Sequence, residues 1–189
     1  MEGITTHVFP SDLGWMALAW KANRVTRFTF GQPSASAALA DLGAANGSDS
    51  VPADDLPAWV AELVGRLQAY AAGSDESFGD VPLALDHLSE FQKRVVRACR
   101  SIRRGKVRTY GDLAATAGSP GAARAVGNVM AQNRYPIIVP CHRVVGSAGS
   151  LGGFSARDGI SMKRRMLELE GAAPKLSKQP RRRLSAAGA

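Results

Sequence analysis

Three short runs near the start of the chain, over residues 7–9, 15–20 and 25–30, are apolar or alternate between hydrophobic and polar positions. Turn-forming residues separate these runs, with Pro10 and Gly14 in the first gap and residues 21–24 in the second. Period-two alternation between tight turns is typical of paired strands. The pattern predicts a small antiparallel meander.

The spacing then changes to that of helices. Residues 31–55 lack a sustained period, which predicts a loop with a short helix over Ala35–Leu42. A longer helix is predicted from about Pro57, ending before Gly73. Its apolar face consists of Val60, Leu63, Val64, Leu67 and Tyr70. A strand or extended linker is expected around residues 81–85. The N-terminal part is therefore predicted to be α+β, and we identify no chemistry in it.

A new helix is predicted where Ser89 and Gln92 have the spacing of a capping box. We expect Gly105 to end this helix. Cys99 falls on its apolar stripe with Phe91, and a lone cysteine in that position usually behaves as a small buried hydrophobe.

Two short helices are predicted next, the first opened by the capping signal at residues 109–112 and closed by Gly118. The second is expected from Pro120 to about Gln132. A tight turn between them makes a helix-turn-helix candidate. Residues 121–127 carry almost no bulk except Arg124, so this helix could approach another backbone closely. A helix packed inside the protein would explain the small residues equally well, but it would leave Arg124 to be buried or paired.

A continuous apolar run at residues 137–139 predicts a buried strand that delivers Pro140-Cys141-His142-Arg143 at its end. Glycine-rich turns follow, and a last helix is expected from about Ile160 to Glu170, with Met162, Met166 and Leu169 facing inward. The remainder from Ala172, which includes three arginines at 181–183, lacks apolar periodicity and is predicted to be disordered.

Charge divides the chain sharply. Residues 1–89 hold 4 Lys/Arg against 11 Asp/Glu, a net charge of −7, whereas residues 90–189 hold 20 against 5, a net charge of +15. This asymmetry favours a nucleic-acid partner for the second half. No apolar run is long enough for a membrane span and no signal pattern opens the chain, so we expect a cytoplasmic protein, or a nuclear one in a eukaryote.

The two cysteines, Cys99 and Cys141, are too few for a disulfide framework, and no spacing indicates a metal site. Cys141 is set among basic residues beside His142, a setting that lowers the pKa of a thiol. In an extended chain, however, neighbouring side chains point to opposite faces, so His142 reaches Cys141 only if the backbone turns or a water bridges them. A buried cysteine beside a satisfied histidine is the alternative.

Several motifs in order resemble the O6-alkylguanine-DNA alkyltransferase family. They are residues 108–114, the small-residue helix from Ala122 to Gly127, Asn133, Pro140-Cys141-His142-Arg143-Val144, residues 152–155 and residues 169–171. The resemblance extends from about Phe91 to Gly171. It implies direct reversal of DNA damage: the alkyl group of an O6-alkylguanine, flipped out of duplex DNA, passes irreversibly to Cys141, once per molecule.

The resemblance also implies a role for each matching residue. Cys141 would accept the alkyl group, His142 would take the thiol proton through a water molecule, and Glu170 would orient His142. Asn133 would brace the turn holding Cys141, and Tyr110 would hydrogen-bond the departing guanine. Arg124 would take the place of the extruded nucleotide, beside the small surface of Ala122, Ala123 and Gly127. The Val144 carbonyl and the Ser155 N–H would contact base edges, and Phe154, where many relatives carry Tyr, would form an aromatic wall.

We therefore expect three parts: an α+β domain over residues 1–88, a mostly helical DNA-binding and alkyl-acceptor domain over residues 89–171, and a basic tail over residues 172–189. The partner would be double-stranded DNA containing O6-alkylguanine, with no metal, no cofactor and no membrane, and the protein would act as a monomer. Three alternatives remain open: a non-catalytic protein that binds alkylated bases, a helix-turn-helix transcription regulator, and a cysteine hydrolase that turns over a small ester or peptide.

Overall fold

The structure, a computed structural model, describes residues 3–43 and 50–172. The predicted tail lies outside the described residues apart from Ala172. Helices and a small antiparallel sheet make up this part of the chain, which confirms the predicted α+β class.

The predicted meander is confirmed. Its three strands are β1 (Thr5–Phe9), β2 (Trp15–Lys21) and β3 (Arg24–Gln32). They pair antiparallel in the order β1-β2-β3, with His7 opposite Leu18 and Leu18 opposite Phe28.

Two helices cover this sheet region. Helix α1 (Ala35–Leu42) has the predicted bounds, with Ser34 capping its start and Gly43 ending it in the left-handed conformation. Helix α2 (Ala58–Ala71) buries the apolar face that its spacing predicts, including Tyr70, which is 0% exposed. Residues 82–84 then run extended beside β3, with the Ala84 N–H donating to the Val25 carbonyl at 2.8 Å.

The second half consists of α3 (Glu90–Arg100), α4 (Tyr110–Thr116), α5 (Ala123–Ala131) and α6 (Gly159–Leu169), with two short parallel strands, β4 (Arg108–Thr109) and β5 (Val144–Val145). Both predicted capping boxes form: Ser89 with Gln92 at α3, and Thr109 with Asp112 at α4. Helices α4 and α5 pack against each other as the predicted helix pair.

Two predicted helix ends were wrong. Helix α3 ends at Arg100 rather than near Gly105, because the chain turns there and buries Ile102 in the core. Helix α5 begins at Ala123 rather than at Pro120. Pro120 and Gly121 instead form a turn closed by the Ala122 N–H on the Ser119 carbonyl at 3.1 Å, with Gly121 at φ 88°. Proline followed by a glycine at positive φ suits the middle of a type II turn better than the first turn of a helix.

The strand predicted at residues 137–139 was also wrong, although all three side chains are buried. The segment folds into a tight turn, in which the Val139 N–H donates to the Tyr135 carbonyl at 2.7 Å and Ile137 adopts φ 70°. Cys141–Arg143 then form one turn of 3₁₀ helix. The three residues are apolar because they are buried. A continuous apolar run indicates burial, but it does not distinguish a buried turn from a buried strand.

The largest cluster of buried apolar side chains includes residues from Phe9 to Met166. Both sides of the predicted boundary at residue 88 therefore contribute to one core, and the division into two domains stays a prediction. Within the described ranges, no helix is long and apolar enough to cross a membrane.

Candidate active site

A cavity of about 840 Å³ opens between the start of α4, helix α5 and the glycine-rich segment 146–155. Seven predicted site residues line it: Tyr110, Ala123, Arg124, Gly127, Cys141, Phe154 and Ser155. The other five, Ala122, Asn133, His142, Val144 and Glu170, do not line this cavity. Gly152 lies against the Tyr110 ring, where a Cβ atom would come within 3.1 Å, so a larger residue there would displace that ring.

Asn133 ties together the turn that carries Cys141. Its Nδ2 donates to the Val139 carbonyl at 2.9 Å and lies 3.2 Å from Cys141 Sγ, while its Oδ1 accepts from the Tyr135 N–H at 3.0 Å. The Asn133 side chain thereby satisfies the Tyr135 N–H and gives the Val139 carbonyl a second donor beside the Cys141 N–H at 2.8 Å. The side chain thus connects both sides of the turn to the sulfur.

Cys141 is 6% exposed and lies at the inner wall of the cavity. Burial raises its pKa above the ordinary value, and the hydrogen bond from Asn133 and the charge of Lys163 only partly oppose that effect. The expected lowering of the thiol pKa was therefore wrong, because the basic residues of this half lie mostly on the surface while the sulfur is desolvated. The resting side chain is a protonated thiol.

His142 is completely buried behind Cys141 and pairs with Glu170, since its Nε2 lies 2.8 Å from Glu170 Oε1. A carboxylate oxygen at that distance accepts a hydrogen bond from Nε2–H. The proton of the neutral imidazole is therefore on Nε2, and Nδ1 is the basic nitrogen. Nδ1 is buried and has no hydrogen-bond partner within the described ranges. Burial lowers the pKa of His142 despite the opposing effect of Glu170, so the imidazole is neutral.

Glu170 follows α6 and is held by several donors at once. Arg143 donates from Nε to Oε2 at 2.9 Å and from Nη2 to Oε1 at 2.8 Å, and its Nη1 donates to the Ile102 carbonyl at 2.6 Å. Burial alone raises the pKa of Glu170, but the hydrogen bonds and charges of His142 and Arg143 outweigh it and hold the pKa far below its usual range. Glu170 is therefore a buried carboxylate with a fixed geometry.

Tyr70 of α2 also belongs to this group, and sequence analysis missed it. Its hydroxyl donates to Glu170 Oε1 at 2.7 Å and lies 3.3 Å from His142 Nε2. The prediction that the N-terminal part carries no chemistry was incomplete for this reason. Tyr70 fell on the apolar face of a predicted helix, and that pattern gives no sign that its hydroxyl faces a residue a hundred positions further along the chain.

Lys163 is the second residue that sequence analysis missed. It is 0% exposed, and its Nζ donates to the Val144 carbonyl at 2.5 Å and lies 5.9 Å from the ring centroids of both Tyr110 and Phe154. Burial lowers its pKa to about 8. A lysine between two inward methionine positions was a possible signal, because charged residues are rarely fully buried without a partner.

Helix α5 forms one wall of the cavity with small residues and Met130, and it buries Val126 and Val129 away from the cavity lining. Arg124 is exposed at the cavity wall. The interpretation of α5 as a helix packed inside the protein does not fit this exposure. In the described part of the chain, no group of His, Cys, Asp and Glu side chains could hold a metal ion.

Comparison with known proteins gives matches over the same region. Residues 90–172 match the family model described as 6-O-methylguanine DNA methyltransferase, DNA binding domain. A methylated-DNA-protein-cysteine methyltransferase of Mycobacterium tuberculosis is 49% identical over 107 residues, which are 57% of this chain and 62% of that relative. The same-named protein of Methanothermobacter thermautotrophicus is 32% identical over 148 residues, 71% of this chain and 82% of that relative. The matched segment thus spans less than two thirds of the mycobacterial relative.

The fold has similar solved structures. A crystal structure of Mycobacterium tuberculosis OGT in complex with DNA has a TM-score of 0.69 and 35% sequence identity, covering 89% of this chain and 94% of that one. The O6-methylguanine-DNA methyltransferase of Pyrococcus kodakaraensis has a TM-score of 0.64 and 28% identity, covering 89% of this chain and 99% of that one. The similarity therefore includes the N-terminal part, which the family model does not match.

Proposed function

This chain belongs to the 6-O-methylguanine DNA methyltransferase family, and on that basis we propose that it repairs O6-alkylguanine in duplex DNA by moving the alkyl group onto Cys141. The observation that carries the proposal is the position of the Cys141 thiol, at the inner wall of a cavity of about 840 Å³ and directly next in the chain to a buried His142 that is paired with Glu170.

The proposed transfer is a nucleophilic displacement at the alkyl carbon of O6-alkylguanine. His142 Nδ1 takes the Cys141 proton, through a water molecule in the arrangement that the family resemblance implies. The sulfur bonds to the alkyl carbon as the bond from that carbon to guanine O6 breaks. The electron pair stays on the guanine, which becomes neutral by taking up the proton that the thiol released. Tyr110, at the cavity wall, would donate a hydrogen bond to the guanine as negative charge develops on it.

The pKa directions support this order of events. Burial raises the pKa of Cys141 and lowers that of His142, so the resting pair is a neutral thiol and a neutral imidazole. The proton then moves during the reaction, and Glu170 stabilises the imidazolium that forms. The product is a thioether that no neighbouring group can hydrolyse. One molecule therefore repairs one lesion, with no metal or cofactor.

Duplex DNA is the proposed partner, because a guanine inside a base stack must be extruded before its O6 substituent can reach a buried thiol. The small surface of Ala122, Ala123 and Gly127 would lie in the minor groove, with Arg124 filling the gap in the stack. Val144 and Ser155 would contact base edges and Phe154 would flank the base. Because the proposed substrate is chromosomal DNA, the protein would act in the cytoplasm or in a eukaryotic nucleus, and we expect it to act as a monomer.

The test is to mix the protein with duplex DNA that contains one O6-methylguanine, digest it with trypsin, and weigh the peptide of residues 135–143. We expect this peptide to gain one methyl group, in one-to-one stoichiometry with repaired guanine, and Cys141→Ala to abolish the gain. A Cys141 that stays unmodified while the protein binds the lesion would contradict the proposal and favour the non-catalytic alternative. Sequence-selective binding that ignores the lesion would favour the transcription regulator.

A further inference from the structure

Tyr70 is a buried side chain whose hydroxyl, among the described residues, bonds to side chains and not to the backbone. Most buried tyrosine hydroxyls need only one acceptor, and Tyr135 illustrates this by donating to the Ala84 carbonyl at 2.5 Å. The Tyr70 hydroxyl instead donates to Glu170 Oε1 at 2.7 Å and lies 3.3 Å from His142 Nε2. It therefore touches both members of the pair behind Cys141.

The directions of these hydrogen bonds follow from the donors available. The phenol donates its single proton to Glu170, so its oxygen presents lone pairs to the proton on His142 Nε2. Two oxygens, from Tyr70 and Glu170, thus surround that proton. The tautomer with the proton on Nδ1 would bring an Nε2 lone pair against both oxygens, which disfavours it.

The Tyr70 ring has little freedom to move. Phe78 packs edge-on against it at 6.0 Å between ring centroids, and the Arg104 guanidinium carbon lies 5.6 Å above it. The His142 ring lies 6.5 Å away on a third side. The hydroxyl is thus held in position before any substrate arrives, as preorganised catalysis requires.

We propose that Tyr70 is a positioning residue for alkyl transfer: its hydroxyl, shared between Glu170 and His142, fixes the imidazole in the tautomer that leaves Nδ1 free to take the Cys141 proton. This inference rests on the proposed function of Cys141. It extends that function to helix α2, in the half of the chain where the sequence showed no chemistry.

The hydroxyl also limits how strongly Glu170 attracts the imidazole proton. Among the described residues, the titratable and charged groups around His142 are Cys141 and Arg143 on either side of it in the chain, Tyr70 on α2, Lys163 on α6 and Glu170 after α6. Without the hydroxyl, Nε2–H loses a long contact of 3.3 Å to the phenol oxygen, whereas Glu170 loses a short hydrogen bond of 2.7 Å and becomes a stronger acceptor for Nε2–H. The shorter bond has the larger effect. The pKa of His142 then rises, and the imidazole is protonated, and so inactive as a base, at a higher pH.

The experiment measures single-turnover methyl transfer from duplex DNA to the full chain, from about pH 5 to about pH 9, for wild type, Tyr70→Phe and the matched control Tyr135→Phe. Tyr70→Phe is expected to slow transfer roughly 10-fold at neutral pH, the usual effect of one charge-assisted hydrogen bond. In the plot of rate against pH, the fall in rate on the acid side (the acid limb) should move to higher pH in this variant. Tyr135→Phe also loses a buried hydroxyl but should keep the wild-type pH profile, even if it lowers the thermal midpoint equally.

Two further variants complete the test. In a His142→Ala background, Tyr70→Phe should have no additional effect on the rate, because Tyr70 acts through His142. If Tyr70→Phe does not fold, 3-fluorotyrosine at position 70 keeps the ring and strengthens the donor, so the acid limb should move to lower pH. An unchanged acid limb in the variant that folds, or additive losses with His142→Ala, would overturn the inference. Absence of transfer by wild type would instead refute the proposed function.

Discussion

Arg143 and Glu170 form a two-pronged ion pair, with Nε and Nη2 of the guanidinium 2.9 Å and 2.8 Å from the two carboxylate oxygens. Both side chains are almost fully withdrawn from solvent. A buried charge that loses its partner is strongly destabilising, so this pair connects the stability of the fold to the carboxylate that orients His142.

The first prediction concerns acid stability. The pKa of Glu170 is held below its ordinary 4.5, so the carboxylate stabilises the fold fully above pH 4.5 and loses that contribution as pH falls further. Glu170→Gln is expected to destabilise the protein by roughly 3 kcal/mol at neutral pH. Urea unfolding at several pH values should show the gap to wild type narrowing below pH 4.5.

Glu168→Gln is the matched control, because Glu168 is exposed and lies on α6 two residues before Glu170. It should leave both the free energy of unfolding and its pH dependence nearly unchanged. A gap between wild type and Glu170→Gln that stays constant through the acid range would contradict the assignment of Glu170 as the buried carboxylate that titrates.

The second prediction separates the two functions of Asn133. Asn133→Ala leaves the Tyr135 N–H without its acceptor and the Val139 carbonyl with only the Cys141 N–H as a donor. A loss of about 2 kcal/mol in unfolding free energy is therefore expected, with transfer slowed at least about 10-fold. Asn133→Asp keeps the acceptor for Tyr135 but loses the Nδ2 donor and places negative charge beside the sulfur. It should recover part of the stability and none of the rate. Equal stability and rate in the two variants would show that the amide does not brace this turn.

The third prediction concerns Arg124, which is exposed at the cavity. If it supports base extrusion, Arg124→Ala should slow transfer from duplex DNA by about 10-fold or more while transfer from the free base O6-benzylguanine is unaffected. Arg24→Ala, which removes an exposed arginine of the β2–β3 hairpin, controls for the loss of one positive charge. Equal losses with duplex and free base would contradict a role in extrusion.

The fourth prediction uses the buried amine of Lys163. Its pKa is lowered to about 8 from an ordinary 10.5, so between these values the unfolded chain binds more protons than the folded one. The stability of wild type relative to Lys163→Met should therefore rise with pH across this window, by at most ~1.4 kcal/mol per pH unit. Denaturant unfolding of both proteins measures the difference. Parallel pH curves would show that the amine does not titrate in the folded state.

Local signals in the sequence were sufficient for much of the fold. Capping boxes at Ser89 and Thr109 predicted the starts of α3 and α4, and alternation predicted the three-stranded sheet, because these patterns act over a few residues. The segment at residues 137–139 was predicted wrongly because its conformation depends on Asn133, whose side chain bonds the turn from outside the apolar run.

In the site, too, some residues could be predicted from local motifs and others are brought in only by the tertiary fold. Cys141, His142 and Glu170 could be proposed from their motifs, and the cavity collects seven of the predicted residues. Tyr70 and Lys163 could not, since each lies in an otherwise regular helical pattern and meets its partners only through the tertiary fold. The direction of the Cys141 pKa shift was likewise wrong, because desolvation is a property of the folded site and leaves no trace in the residues next to the cysteine.

Helix α2 also shields the His142–Glu170 pair from water. Tyr70 covers His142 and Glu170 from the N-terminal side, and both are buried. A fragment cut to residues 90–172 would contain every motif of the family model and yet open that side to solvent, which would hydrate the carboxylate and allow the imidazole to take up a proton. If Cys141 and Tyr70 act as proposed, the smallest active fragment is expected to include α2 as well as residues 90–172.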